Sequence, residues 1–325
     1  MRVLVTGASG FIGSHVAASL GEHGHRVVAS GRDWSRLAAT SAGAAAIPAD
    51  LVTDDLSVLV KGCEAIVHCA AMASPWGPRD AFWRQNVVAT ERLLAAADAS
   101  GSVRRFVHIS SPSIYFRWRD QIDVAEEFVP PSRWITDYAE TKWVAETRVV
   151  AHRGLGPVIL RPRAVFGPRD TAIVPRLVAI ARRGWFPLPA GGRAWTDVTY
   201  VDNVVDSVRL ALKAPRDVEG AAFNITNGEP VQVHDLLSRL FGAIGVRTRY
   251  VRIPRFVARC GATAVEGLAR ARRAAAEPRV TSYGIGLLGY SQTLTIAAAR
   301  QRLGYTPRIS LDEGLHRYAT WWRTT

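Results

Sequence analysis

Tyr138 and Lys142 stand four residues apart in the string YAETK, which begins 27 residues after Ser111 in the string SSPSIY. An i, i+4 pair on a helix shares one face. An ammonium held beside a phenol stabilises the phenolate and brings an intrinsic pKa of about 10 toward the range useful for proton transfer. A serine hydroxyl bonded to the same oxygen polarises a carbonyl. Ser111, Tyr138 and Lys142 together are therefore expected to form a catalytic set that moves a proton on oxygen while hydride moves at carbon. Lys142 would also hold the ribose of a nicotinamide cofactor. A lone Y-x-x-x-K is commonplace, but this chain has only three lysines, Lys61, Lys142 and Lys213. Chance would place one at a given position about one time in a hundred.

Hydride chemistry needs a dinucleotide, and the N-terminus has the features of a site for one. MRVLVT runs into GASGFIG, which places Gly7, Gly10 and Gly13 between a strand and a helix, with Phe11 and Ile12 opening the helix. Glycines there permit a tight turn and a close backbone approach to a pyrophosphate, and the helix N-terminus favours the negative charge. An NAD site usually places Asp or Glu about 20 residues further on, to accept from the ribose hydroxyls. Here VVASGRD puts Ser30 and Gly31 at that point, followed by Arg32 and later Arg36. A guanidinium suits a 2′-phosphate that a carboxylate would repel, so NADP(H) is expected ahead of NAD(H).

These residues must be positioned by a sheet. Short apolar β-branched runs near 2–6, 26–30, 45–49, 64–69, 104–110 and 156–160 alternate with helix-like stretches at 11–24, 80–100 and 134–153. In the second of these helices Val87, Leu93, Leu94 and Ala97 recur at helical spacing. Six strands with intervening helices predict an α/β fold, a Rossmann-like doubly wound parallel sheet. After about residue 165, Pro and Gly punctuate the chain. We expect a dinucleotide-binding domain over 1–165 and a smaller C-terminal substrate lobe over 166–325, partly interleaved with the sheet.

With 48% hydrophobic and 21% charged residues, the 325-residue chain has the composition of a globular protein. Its net charge of +13 is scattered, almost all of it arginine, with no polybasic run, so nucleic acid is not expected as a partner. Cys63, Cys69 and Cys260 show neither zinc spacing nor an even count for disulfides, which fits a reducing cytoplasm, and no metal is expected. The opening strand leaves no room for a signal peptide, and no apolar run is long enough to span a bilayer.

GASGFIG, SSPSIY, YAETK, LRPRAVFGP and WTDVTYVDNV together resemble an extended short-chain dehydrogenase/reductase over most of the chain. On that resemblance Ser111 is chosen over Ser110 because it precedes Tyr115 by four, as in the family's S-x-x-V-Y pattern, with Ser113 as the fallback. Further cofactor contacts are implied at Asp50 and Leu51 beside adenine, at Ala70 after the fourth strand, at Asn86, and at Pro162 and Val165 near the nicotinamide. The family's dehydratases carry Asp-Glu after the catalytic hydroxyl residue, where this chain has Pro112 and Ser113. Its sugar-nucleotide epimerases carry an arginine where this chain reads Trp195, Thr196, Asp197. TDVTYVDNVVDSVRLAL with FNITNGEP instead resembles the branch of 3β-hydroxysteroid dehydrogenases, sterol-4α-carboxylate 3-dehydrogenases and 2-alkyl-3-oxoalkanoate reductases.

The implied activity is NADP(H)-dependent interconversion of a secondary alcohol and a ketone on a bulky apolar small molecule. The alternatives are an epimerase with tightly bound NAD and a non-catalytic NADP-sensing regulator, against which the intact Ser, Tyr, Lys set speaks. Trp76, Trp185, Phe186 and Trp195 are candidates to border an apolar substrate. Arg117, Arg119 and Arg163 are candidates for a carboxylate beta to its carbonyl. Helices 80–100 and 134–153 could pair two copies as a homodimer. Residues 255–276 predict a basic amphipathic helix, with Phe256, Cys260, Val265 and Leu268 on one side and Arg255, Arg259, Arg270 and Arg273 elsewhere. Packing of its apolar side on the substrate lobe or at the pocket mouth is expected ahead of membrane docking.

Overall fold

Each apolar run of the first half becomes a parallel strand in the computed structural model, which describes residues 1–40, 44–74, 76–272, 278 and 280–324. The strands are β1 (Arg2–Thr6), β2 (Arg26–Gly31), β3 (Ala45–Pro48), β4 (Ala65–His68), β5 (Arg105–Ile109) and β6 (Pro157–Pro162). A seventh, β7 (Ala222–Ile225), comes from the second half and pairs in parallel with β6, Ala222 opposite Ile159. The sheet order is β7-β6-β5-β4-β1-β2-β3. Six strands were expected from the sequence. β7 escapes that reading because AFNI is four residues long and stands alone between turn signals, so it shows its periodicity only when paired.

Alternation along β1 accounts for the two-layer cover. Val3 and Val5 point into one cluster with Val16 and Leu20 of α1 (Phe11–Glu22) and Val205, Val208 and Leu212. Leu4 points into another with Leu59, Leu93, Leu94 and Val149. Successive strand residues face opposite sides, so a strand buried on both reads as continuously apolar. Strand order reverses beside β1, which opens a crevice at the carboxyl ends of β1 and β4.

Helix α2 spans 79–100 and includes a π-helical turn over Trp83–Val88. Helix α3 (Asp137–Ala151) is capped by Thr136, whose Oγ1 accepts from Ala139 N–H at 3.1 Å. Helix α4 (Val201–Lys213) has it both ways: Val205 and Val208 join the sheet's cluster, while Val201 and Val204 join a second core with Phe166, Phe186, Leu237, Leu240 and Tyr318.

Helix α5 (Arg255–Ala271) corrects an expectation. It packs through Ala258 and Ala262 against Ile285 of α6 (Ser282–Gly289), and its buried Glu266 accepts from Ser282 N–H at 2.7 Å. Phe256, Val265 and Leu268, expected to face inward, are exposed. Two helices in close contact need small residues between them, and only the alanine side of α5 provides these. Arg273 and the rest of 273–276 lie outside the described residues.

Candidate functional site

The N-terminal loop has the shape that its glycines require. Gly7 sits at φ +68°, and a Cβ on it would lie 2.7 Å from Ala70 N, so loop and β4 end approach too closely for any side chain. A Cβ on Gly13 would lie 2.2 Å from the Gly7 carbonyl oxygen. The cradle thus made, at the start of a helix with no acidic residue in its first turn, fits a dinucleotide's pyrophosphate. Phe11 and Ile12 pack toward the second core and tie the loop to that lobe. At the β2 end, Ala8 N–H donates to the Ser30 carbonyl at 2.9 Å, and Gly31 has no room for a Cβ beside Ser9 Oγ. Ser30 Oγ is buried without a partner, and Arg32 is exposed just beyond. Asp50 and Leu51 follow β3, where Asp50 Oδ1 accepts from Val52 N–H at 2.8 Å and Leu51 is buried.

Asn86 lies in the π-helical turn, a distortion frequent at functional sites. Its side chain is engaged by the protein: Oδ1 accepts from Met72 N–H at 2.7 Å, and Nδ2 donates to Thr141 Oγ1 at 3.0 Å. It therefore brackets α3 against the loop after β4.

Helix α3 presents Tyr138 and Lys142 one turn apart toward the end of β5. Lys142 is buried, and its Nζ donates to the Ile109 carbonyl at 2.6 Å and lies 3.2 Å from His108 Nε2. Burial lowers the Lys142 pKa to about 8, against the pull of Glu146 and Cys69. Burial raises the Tyr138 pKa, and a hydrogen bond with Ser111 opposes it.

The choice among the three serines follows from their partners. Ser110 Oγ donates to buried Glu146 and is thereby occupied. Ser111 accepts from Ser113 N–H at 3.2 Å and hydrogen-bonds Tyr138 through its own hydroxyl. Ser113 Oγ is buried without a partner. Beneath them Arg161 on β6 pairs with Glu146, Nη2 to Oε2 at 2.5 Å, and donates to Tyr115, whose hydroxyl donates to Asn224 on β7 at 2.9 Å.

Ser111, Ser113, Tyr138 and Pro162 border a cavity of about 340 Å³ that runs into the second lobe. Its far walls are mostly apolar, from Ile173, Leu177 and Ile180, Leu236, Leu237 and Leu240, and Ile285 and Leu288 of α6, with the exposed Arg176 also at its border. Arg163 also lines it, buried, with Nε unpartnered and with no ion pair to any described residue. Asp197 senses that charge from a distance, and its carboxyl is pushed up to about 6 by burial, opposed by Leu294 N–H and Arg163.

Three tryptophans and two arginines expected near substrate do not line this cavity. Trp185 and Trp195 are exposed, and their neighbours Phe186 and Thr196 line the cavity instead, the consequence of a two-residue period. Trp76 borders a wider cleft of about 900 Å³ that meets the cavity at Tyr283, with Arg270 stacked on its ring. Arg117 is spent on the Ile114 and Phe116 carbonyls, and Arg119 is exposed. Val165 pairs with Thr199 beside the cavity. The α6 contribution was missed because SYGIGLLG, with its glycines, reads as loop. Gly286 is needed there, since a Cβ would meet the Phe116 ring at 2.5 Å.

Residues 3–226 match the model of the NAD dependent epimerase/dehydratase family. The chain belongs to that family. It is an NAD(P)-dependent oxidoreductase of the extended short-chain dehydrogenase type. It is 36% identical over 334 residues to the protein YbjS of Escherichia coli (strain K12), covering 99% of this chain and 98% of that one. To the 2-alkyl-3-oxoalkanoate reductase of Stenotrophomonas maltophilia (strain K279a) it is 34% identical over 338 residues, covering 98% of each. In fold it is similar to the UDP-glucuronic acid 4-epimerase from Bacillus cereus in complex with NAD, with TM-score 0.78 and 22% identity, over 100% of this chain and 97% of that one.

Proposed function

We propose that the chain reduces a bulky apolar ketone carrying a carboxylate beta to the carbonyl, with NADPH, through Ser111, Tyr138 and Lys142. The observation that carries this reading is the cavity itself: the hydroxyls of Ser111, Ser113 and Tyr138 at one end, aliphatic walls beyond, and the buried guanidinium of Arg163 with no ion pair to any described residue. The bound nicotinamide supplies the hydride. Ser111 donates to the carbonyl oxygen, Tyr138 protonates it as charge develops, and Lys142 as ammonium makes that proton easier to give. Arg163 holds the carboxylate, because a permanently charged guanidinium in a water-poor wall is stabilised by an anion. The relative named as a 2-alkyl-3-oxoalkanoate reductase supports a substrate of this class. A uridine diphosphate finds little to bind along walls of leucine, isoleucine and valine.

Replacing Arg163 by Met is expected to raise KM for a 2-alkyl-3-oxoacid by about 10- to 100-fold, the range of a charge-assisted hydrogen bond, and to leave a neutral ketone of equal length nearly unaffected. Steady-state kinetics on the pair checks this, and an unchanged KM for the acid would remove Arg163 from the site. For the cofactor, kcat/KM should be higher with NADPH than NADH, and Arg32→Ser should narrow the gap by about tenfold. An NADH preference in the unaltered protein defeats this assignment.

A further inference from the structure

Among the described residues, Tyr283 alone borders both the cavity at Ser111 and the wider cleft beside it. The boundary runs along the chain on either side of it: Thr281 lines the cavity, Ser282 the cleft, and Gly284 and Ile285 the cavity again. Across the opening, Asp137 borders the cleft while Tyr138 borders the cavity. A carbonyl held at Ser111 and Tyr138 is therefore close to the division between the two spaces. The cavity, at about 340 Å³, is near the low end of the usual size of small-molecule sites, and the cleft beyond holds about 900 Å³ more.

The Tyr283 ring is fixed from behind. Helix α6 is capped by Thr281, whose Oγ1 accepts from Gly284 N–H at 3.1 Å, and Ser282 is tied to Glu266 of α5. Gly286, three residues on, lets the helix press against Phe116. Tyr283 shares that face and stacks edge to face on the same ring, at 5.3 Å between centres and 85° between planes. Phe116 follows Ser111 by five residues, so one stretch of chain holds both the catalytic serine and the partition. No described residue hydrogen-bonds the Tyr283 hydroxyl, so the ring is what the fold has placed.

We propose that Tyr283 is a specificity-determining residue, its ring the wall that ends one of the ketone's two carbon arms at the cavity and keeps that arm out of the cleft. This rests on the reading of the cavity as a ketone site. A carbonyl carbon carries two substituents, and the aliphatic walls at Leu237 and Leu240 take one of them. The other runs toward the boundary, where the ring cannot swing aside without giving up its contact with Phe116. Beyond it Trp76, Trp134 and Ile135 offer apolar surface to a longer arm.

The test is kcat/KM with NADPH on two series of 2-alkyl-3-oxoacids, one lengthened by single methylenes in the chain beyond the carbonyl and the other in the 2-alkyl branch. In the unaltered protein each series should reach a limit past which a further methylene costs about tenfold or more. Tyr283→Ala is expected to lift that limit by at least about tenfold in one series and leave it in place in the other. Tyr283→Phe, which keeps the ring, should leave both in place. Relief confined to one arm is a result that a general loosening of α6 would not give, since that would lower activity on both series alike. Unchanged limits in Tyr283→Ala, or a shift already present in Tyr283→Phe, overturn the proposal. If the alanine variant fails to fold, Tyr283→Leu, which keeps an aliphatic contact on Phe116, takes its place with the same outcomes. An unaltered protein that reduces no member of either series removes the ketone reading and this proposal with it, whereas normal reduction with unmoved limits removes this proposal alone.

Discussion

Tyr138→Phe is expected to lower kcat for ketone reduction by roughly two to four orders of magnitude, the usual contribution of a positioned general acid, with cofactor binding nearly unchanged. The substitution removes one oxygen and keeps the ring that lines the cavity beside Ser111. The ionisation directions add a pH signature. Burial raises the Tyr138 phenol, so its usefulness depends on a cation nearby, and Lys142 supplies it only while protonated. With Lys142 lowered to about 8, the ammonium is present below that pH and lost above it. The rate of the proton-coupled step should therefore fall as pH rises through about 8. Bound cofactor phosphates would move this limb upward by stabilising the cation. Measurement of kcat and KM against pH, with NADPH affinity by fluorescence titration, checks both parts. A Phe variant with near-normal kcat would remove Tyr138 from the chemistry.

The largest effect on stability is expected at Glu146→Gln, at about 3–5 kcal/mol by denaturant unfolding. Glu146 and Arg161 are almost fully buried, with side-chain exposures of 3% and 4%. Glu146 meets Arg161 through both oxygens and also accepts from Ser110, so its removal strands a guanidinium where water cannot reach it. Replacing both partners, Glu146→Leu with Arg161→Met, should recover much of the loss, since no lone charge remains. Glu146 also raises the Lys142 pKa. The single variant should thus shift the alkaline limb of activity to lower pH, a change that a purely structural role would not produce. Stability within about 1 kcal/mol of the unaltered protein would show that the pair is not the keystone its burial indicates.

The glycine turn after β1 and six of the seven sheet strands were legible in the chain because their signals are local. A glycine at φ +68° at Gly7, or an apolar β-branched run between turns, specifies its conformation with little help from distant residues. The pairing of Tyr138 with Lys142 on one face of α3 is of the same kind. Ser111 needed the family pattern in sequence and acquires a physical reason in the fold: its neighbour Ser110 is taken by Glu146, 36 residues away.

The errors share one cause. Trp185 and Phe186 are adjacent and equally suited to an apolar wall, and only the strand's orientation sends Phe186 into the cavity. Arg117, Arg119 and Arg163 look alike as charges, yet carbonyls at Ile114 and Phe116 occupy the first, solvent the second, and the apolar lobe encloses the third. On α5 the apolar side faces water because contact with α6 requires the small residues.

By itself the sequence determined the chemistry the protein can carry, through residue type and short-range spacing, since helix and strand periods set which neighbours share a face. The tertiary structure decided which face of each element is enclosed, and so which arginine lines the cavity and which helix face stays bare. Those outcomes depend on packing partners tens to hundreds of residues away, and no local propensity encodes them.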